Sequence, residues 1–285
     1  MKPARFDYAR PRDLAEAVAL LGTERGIIKV MAGGQSLGPM LNLRLVEPDL
    51  IVDIASLGEL RCASIERGEL TLGACVTHAD IEDGRVPDLT RGVAARVAGA
   101  IAYRAIRNRG TIGGSLVHAD PAADWISALI TLGAEVELVS RAGRRRLALA
   151  EFVVGALEVA LQPGELLVAV HIPAMPRRAL FGYVKHCRKV GEFAHAIGSV
   201  LLDPVAGEGR AVIGAIEAPP ILFADARPLF GGQITPDFAA RFDPRVADTA
   251  LIAAGIADAA DRHQHITVLR RAVVQAGVIA PAAAA

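Results

Sequence analysis

Ile27-Ile28-Lys29-Val30-Met31-Ala32-Gly33-Gly34-Gln35-Ser36-Leu37 is the stretch on which the reading of this chain turns. Its first five residues form a short apolar run with β character, and the next five are a loop with paired glycines. Upstream, Leu14, Val18 and Leu21 recur at helical spacing and Gly22 follows as a stop. Downstream, Leu50 to Ile54 (LIVDI) reads as a second strand. A helical segment rich in Leu and Met separates the two strands, which predicts that they run parallel.

The next hundred residues alternate differently. Glu69-Leu70-Thr71-Leu72 is a strand candidate, and Thr77 with Asp80 makes a capping-box start for a short helix. Leu89, Val93, Val97 and Ile101 define an amphipathic helix that leads into a second glycine loop, Gly110-Thr111-Ile112-Gly113-Gly114-Ser115. A helix from about Ala122 to Leu132 follows, ended by Gly133. Strands are predicted near Glu135–Val139, Leu147–Leu149 and Leu166–Ile172, the last stopped by Pro173. Ala174-Met175-Pro176-Arg177-Arg178 reads as a link. Beyond it, Leu180–Lys185, Ala196–Leu202 and Arg210–Ile216 form a predicted antiparallel meander with turns at Gly191 and Gly207–Gly209. The remainder is mostly helical, with an Ile266, Leu269, Val273 stripe and a frayed end from Pro281 to Ala285.

Composition closes off several functions. Hydrophobic residues make up 52% of the 285 and charged residues 22%, which is a globular balance. Lys plus Arg (31) cancels Asp plus Glu (31), so no basic surplus exists for neutralising a nucleic-acid backbone. Apolar runs are interrupted well short of the ~20 residues of a membrane helix. The N-terminal MKPARFDYARPRD lacks an apolar signal core, so the expected compartment is the cytoplasm. Cys62, Cys75 and Cys187 stand far apart, in no spacing that holds zinc or an iron–sulfur cluster, and read as small buried hydrophobes.

Ala32-Gly33-Gly34-Gln35-Ser36-Leu37 and Thr111-Ile112-Gly113-Gly114-Ser115-Leu116 carry the chemistry. Paired glycines bring backbone N–H groups close to a bulky anion, and a serine hydroxyl adds a donor. One such loop alone reads first as a structural turn. Two in a chain without a Walker motif suggest two phosphates, as in a dinucleotide. Neither is GxGxxG, which disfavours a Rossmann-type NAD site.

These residues carry a resemblance. Gly33-Gly34-Gln35-Ser36-Leu37, with Pro39-Met40 and Leu43-Arg44-Leu45, resembles the first FAD loop of the medium subunits of molybdenum hydroxylases such as carbon monoxide dehydrogenase and quinoline oxidoreductase. Arg107-Asn108-Arg109-Gly110-Thr111-Ile112-Gly113-Gly114-Ser115-Leu116, then His118-Ala119-Asp120-Pro121-Ala122-Ala123-Asp124, resembles the second. The same module occurs fused in xanthine dehydrogenase.

The resemblance implies an α+β fold. A two-part FAD-binding domain of the vanillyl-alcohol-oxidase/PCMH type would occupy 1–175, in subdomains of about 1–55 and 56–175. A smaller domain of the carbon monoxide dehydrogenase flavoprotein type, a three-stranded antiparallel sheet with helices, would occupy 178–285. It further implies FAD on this chain, [2Fe–2S] clusters on a small partner subunit and a molybdopterin cofactor on a large one, in a dimer of heterotrimers. Substrate oxidation, with an aromatic N-heterocycle as the first candidate, would occur on the large subunit and electrons would pass through this chain to an external acceptor.

Residue by residue, the resemblance places Lys29, Val30, Met31, Ala32, Gly33, Gly34, Gln35, Ser36 and Leu37 along the cofactor. Gly114 and Ser115 would add backbone contacts around the pyrophosphate, and Ser36 and Thr111 hydroxyl contacts. His118 and Asp124 would meet sugar or phosphate oxygens, Leu167 would pack against the cofactor, and Lys185 would stand near the flavin pyrimidine edge. Phe193, in Lys189-Val190-Gly191-Glu192-Phe193, occupies a position where the family carries an aromatic beside the isoalloxazine.

Plainer readings stand beside these. His118 also reads as a loop histidine bonded to backbone, Asp124 as a helix cap, and Lys185 as a solvated strand lysine. Arg144-Arg145-Arg146 reads as a solvated hairpin turn, or as a docking patch. His263 and His265, two residues apart, are poorly placed to share a metal. A free-standing FAD oxidoreductase and a flavin-free assembly subunit are the alternatives to the electron-transfer reading.

Overall fold

The computed structural model describes residues 2–278, so the expected fraying at Pro281–Ala285 lies outside the described residues. The chain opens with β1 (Asp7–Ala9), α1 (Leu14–Leu21), β2 (Ile28–Met31), α2 (Leu37–Asn42) and β3 (Leu50–Asp53). Asp13 caps α1 through the Glu16 N–H, and Gly22 ends it. The strands form a parallel sheet in the order β1-β3-β2, with Ile28 and Asp7 both opposite Leu50. Parallel pairing of β2 and β3 is as expected. The three-residue β1 was not, since Asp7-Tyr8-Ala9 carries no alternation long enough to read.

The chain continues through β4 (Ala63–Glu66), β5 (Glu69–Gly73), α3 (His78–Glu82), α4 (Val93–Gly99), α5 (Arg104–Arg107), α6 (Ile112–His118) and α7 (Asp124–Leu132). Next come β6 (Glu135–Ser140), β7 (Gly143–Ala148), α8 (Leu149–Phe152), β8 (Val153–Gly155), β9 (Glu158–Val159) and β10 (Leu166–Pro173). An antiparallel five-stranded sheet runs β4-β5-β10-β6-β7. The capping box at Thr77 and Asp80 is formed, and Gly133 ends α7 in the left-handed conformation. All nine residues of α7 are buried, with Trp125, Ile126 and Leu129 in the main core beside Leu72, Val170 and Phe152.

Two predicted elements change. The helix expected over Leu89–Ile101 shrinks to α4, because Arg91 and Gly92 adopt left-handed backbone (φ 56° and 80°). Arg91 is held there by donating to the carbonyls of Pro176, Arg177 and Ala179. The strand expected at Leu147–Leu149 instead begins at Gly143, and Leu149 already starts α8. It is the outer strand of the sheet, where arginines are tolerated because one face and one edge meet water.

The last portion holds β11 (Leu180–His186), β12 (Ala196–Asp203), β13 (Glu208–Gly214), β14 (Ile221–Phe223), α9 (Phe238–Arg241), α10 (Pro244–Ala253) and α11 (Ala259–Val278). The expected three-stranded sheet has four strands, β11-β12-β13-β14. The extra strand is three residues long and follows Pro219-Pro220, which suits an edge and hides it from a sequence reading. Helix α11 lies directly on β11 and β12: a Cβ on Gly198 would come within 2.7 Å of the Leu269 nitrogen, and one on Gly182 within 2.8 Å of the Ala272 carbonyl carbon. Glycine at these two strand positions is what permits that approach. Helix α7 packs against β12 and β13 as well as under β10, so it contributes to the contacts of both larger sheets.

Candidate functional site

The two glycine motifs meet. A Cβ on Gly33 would lie 2.7 Å from the Arg109 carbonyl carbon and 2.9 Å from the Gly110 Cα, so the two backbones touch where only glycine fits. Gly34 takes φ 72°, the second demand for glycine in this loop. Above the seam opens a cleft of about 780 Å3, within the range of small-molecule and cofactor sites. Among the described residues, no protein acceptor meets the backbone N–H groups of Gly33, Gly34, Gln35, Ser36 or Leu37. Five consecutive donors with no internal partner, on a segment that lines a cleft, are free to meet an acceptor placed there.

The second motif is built otherwise than expected. Thr111 to Ser115 is the first turn of α6 and not a loop, with Thr111 as its cap. Its N–H groups are used within the protein: Ile112 donates to Val76 O, Gly113 to Ala74 O, Gly114 to the Thr111 hydroxyl and Ser115 to Thr111 O. Gly113 is needed because a Cβ there would meet Ala74 at 2.6 Å. Gly114 and Ser115 line the cleft, supplying a bare backbone surface and the Ser115 hydroxyl.

Most of the expected residues gather here. Lys29, Val30, Ala32, Gly33, Gly34, Gln35, Ser36 and Leu37 line one wall, and Gly114, Ser115, His118 and Asp124 another. Leu167 and Phe193 complete the expected set at the cleft. His118 lies in the last turn of α6 and makes no side-chain hydrogen bond among the described residues, so the backbone-bonded alternative does not hold. Three residues do not line the cleft. Met31 packs its sulfur beneath Gly34, Thr111 is committed to capping, and Lys185 is turned inward.

Lys185 is neither solvated nor facing the cleft. Its Nζ lies 2.9 Å from the Asp124 carboxylate and 2.9 Å from the Ala100 carbonyl oxygen, with 11% of the side chain exposed. The Tyr183 hydroxyl donates to Asp124 Oδ1 at 2.7 Å. Burial pushes the Asp124 carboxyl above its ordinary range, with Lys185 and Tyr183 pulling back, and pushes the Tyr183 phenol well up. Asp124 is the first residue of α7, the cap position being Ala123, so its carboxylate binds β11 instead of capping.

His78 also lines the cleft, though no local sequence signal marks it. It opens α3 behind the capping box, and its backbone N–H donates to Gly110 O at 2.9 Å, tying the Val76-Thr77-His78 stretch to the second motif. The ring is 5% exposed, and Trp125 Nε1 donates to its Nδ1 at 3.0 Å. Burial, then the Arg107 charge, lowers its pKa to about 4. The capping box was legible, but the place of His78 depends on two segments that meet only in the fold.

At the mouth, the connection between β11 and β12 brings Gly191 against Ala102, where a Cβ would sit 3.0 Å from the Ala102 oxygen. Arg107 holds that partner segment by donating to Ile101 O and Ala102 O while pairing with Glu82. Phe193, 71% exposed, and Tyr103, 63% exposed, are apolar rings left at the rim.

Several other candidates fall away from the site. Of the cysteines only Cys75 is buried, Cys62 being exposed and Cys187 intermediate. Arg144, Arg145 and Arg146 lie in β7, not in a turn, and pair with Glu137, Glu165 and Glu69. His265 is buried beside Asp261, whereas His263 is exposed. Among the described residues no cluster of His, Cys, Asp and Glu could hold a metal, and no helix is long and apolar enough to cross a membrane.

Known proteins match this architecture. Residues 4–175 match the family described as FAD binding domain in molybdopterin dehydrogenase. The chain is 34% identical to caffeine dehydrogenase subunit beta of Pseudomonas sp. (strain CBB1), covering 78% of this chain and 77% of that one. It is 36% identical to the carbon monoxide dehydrogenase medium chain of Afipia carboxidovorans, over 73% and 72% of the two. The structure superposes on a chain of quinoline 2-oxidoreductase from Pseudomonas putida 86 with a TM-score of 0.83 and 30% identity, covering 98% of this chain and 99% of that one.

Proposed function

Because the chain belongs to the family of FAD-binding domains of molybdopterin dehydrogenases, we propose that it is the FAD-binding electron-transfer subunit of a multi-subunit molybdenum hydroxylase. The observation that carries this reading is the run of five unpartnered amides, Gly33 to Leu37, pinned against the second motif at the Gly33–Arg109 seam. Two phosphates need several preorganised donors without a Cβ in the way, and this wall supplies them. Gly34, Gln35, Ser36, Ser115 and His118 would hold the phosphate and sugar oxygens, and Leu167 and Phe193 the apolar ring. FAD, when bound, supplies the capacity to take up and release electrons singly or in pairs, which no side chain of this protein has.

The protein's own work is binding and orientation. The Asp124–Lys185 pair joins α7 to β11 and so fixes the strand from which the Phe193 loop departs. Neither group is left over as a general base, in keeping with chemistry performed elsewhere.

In this reading the chain takes electrons from [2Fe–2S] clusters of a small partner subunit and passes them to an external acceptor, while a large molybdopterin subunit oxidises the substrate. The assembly is proposed as a cytoplasmic dimer of heterotrimers, and the substrate class as an aromatic N-heterocycle. Residues 1–175 would form the FAD-binding domain and 178–285 the second domain.

Purification of the chain from its native host, with absorbance and metal analysis, tests this. Flavin bands, molybdenum, iron and two co-purifying subunits are expected, and the large subunit's activity identifies the substrate. A colourless chain would sink the FAD assignment, and a lone yellow one the partnership.

A further inference from the structure

We propose that His78 is a cofactor-binding residue, donating its Nε2–H to an acceptor oxygen of the FAD held in the cleft. This rests on the reading of the cleft as a flavin site. Geometry fixes the tautomer. Indole Nε1 is a donor only, so His78 Nδ1, 3.0 Å from Trp125 Nε1, must be the acceptor and the ring proton must sit on Nε2. A protonated ring would face the indole N–H with a second donor. Burial, which lowers the His78 pKa to about 4, acts in the same direction and keeps the ring neutral.

The other edge of the ring is unspent. His78 is 95% buried, lines the cleft, and its Nε2 meets no acceptor among the described residues. With Nδ1 satisfied by Trp125, the ring keeps one donor, Nε2–H, for a partner in the cleft. The Cδ2–Nε2 edge is turned toward the second glycine motif, since a Cβ on Gly110 would lie 2.9 Å from both atoms. The ring is held on three sides: by Trp125, by the backbone bond from His78 to Gly110, and by the capping box of Thr77 and Asp80. It is a neutral donor of fixed direction, next to Gly110, which in turn touches Gly33 of the first loop.

Titration of full-length chains with FAD and with riboflavin tests this. His78→Phe should weaken FAD binding about tenfold, the usual cost of one buried hydrogen bond, and His78→Gln, which keeps a donor near Nε2, should recover most of it. Loss for FAD alone places the acceptor on the pyrophosphate or adenosine portion, and equal loss for riboflavin places it on the ribityl or ring portion. In 15N-labelled wild-type protein the His78 proton should reside on Nε2, and that nitrogen's shift should move on FAD saturation. This holds even if His78→Phe does not fold. A proton on Nδ1, an unmoved Nε2 shift, or an unchanged Kd in folded His78→Phe would overturn the proposal. Wild-type protein that takes up no FAD would overturn the flavin reading first.

Discussion

Gly33 and Arg109 touch backbone to backbone: the face of Gly33 where a side chain would stand is filled by the Arg109 carbonyl, with its carbon 2.7 Å from an added Cβ. Gly33→Ala must therefore part the two glycine motifs. Overpacking of this kind costs about 1–3 kcal/mol, and for a chain of this size each kcal/mol lowers Tm by roughly 2–4 °C. A Tm loss of several degrees and a FAD Kd at least about tenfold weaker are expected. Unchanged calorimetry and flavin titration would show that the seam is not rigid.

Lys185→Met should be among the most damaging single changes in this region. It strips the cation from a carboxylate that is 7% exposed, which leaves Asp124 with Tyr183 alone and drives its carboxyl further up. Breaking a buried pair by one partner costs about 3–5 kcal/mol. Urea denaturation should show that loss at neutral pH. Asp124→Asn in the same background should restore part of it, since it removes the stranded charge.

The acid limb of stability should report His78. In the unfolded chain it titrates near its ordinary 6.5, whereas in the fold it titrates at about 4. Between those values the unfolded state holds the extra proton, so stability rises with pH through the window and is complete above 6.5. On the order of 3 kcal/mol is at stake as pH falls toward 4. Asp124, whose carboxyl is raised above the ordinary 3.8, acts oppositely, losing stability as pH rises. The difference between wild type and His78→Gln isolates the histidine. Parallel stability curves for the two proteins from pH 4 to 7 would contradict a buried neutral ring.

Phe193 offers a change with almost no structural cost. Its ring is 71% exposed, so Phe193→Ala should alter stability by less than about 0.5 kcal/mol. If the ring covers the flavin, the variant's bound FAD should fluoresce more strongly and be more open to quenching by iodide. Identical quenching in both proteins would remove Phe193 from the site.

Local signals carried much of this fold. The period of Leu14, Val18 and Leu21, the Thr77–Asp80 capping box and the Gly133 stop each depend on a few neighbouring residues, and each is realised. β1 and β14 were invisible because three residues contain no period to detect. Within the site, the glycines are visible in the sequence, but their packing role is not. Gly33 and Gly113 admit other backbone, and it is the amides after Gly33 that are left for a ligand. The inward turn of Lys185 and the cleft position of His78 were out of reach because each depends on partners about 47 to 61 positions away, among them Trp125 and Asp124.

Helix α7, buried on every residue, has a consequence for how the protein comes apart. One of its faces belongs with the five-stranded sheet and another with β12 and β13, so neither sheet can leave without stripping cover from Trp125 and its neighbours. A protease cut in the 174–178 link would nick the chain without releasing two stable fragments. Amide protons of α7 should be among the slowest to exchange in the molecule, opening only when the whole structure does. Loss of the C-terminal sheet would then reach the cofactor through Asp124, at the end of that same helix.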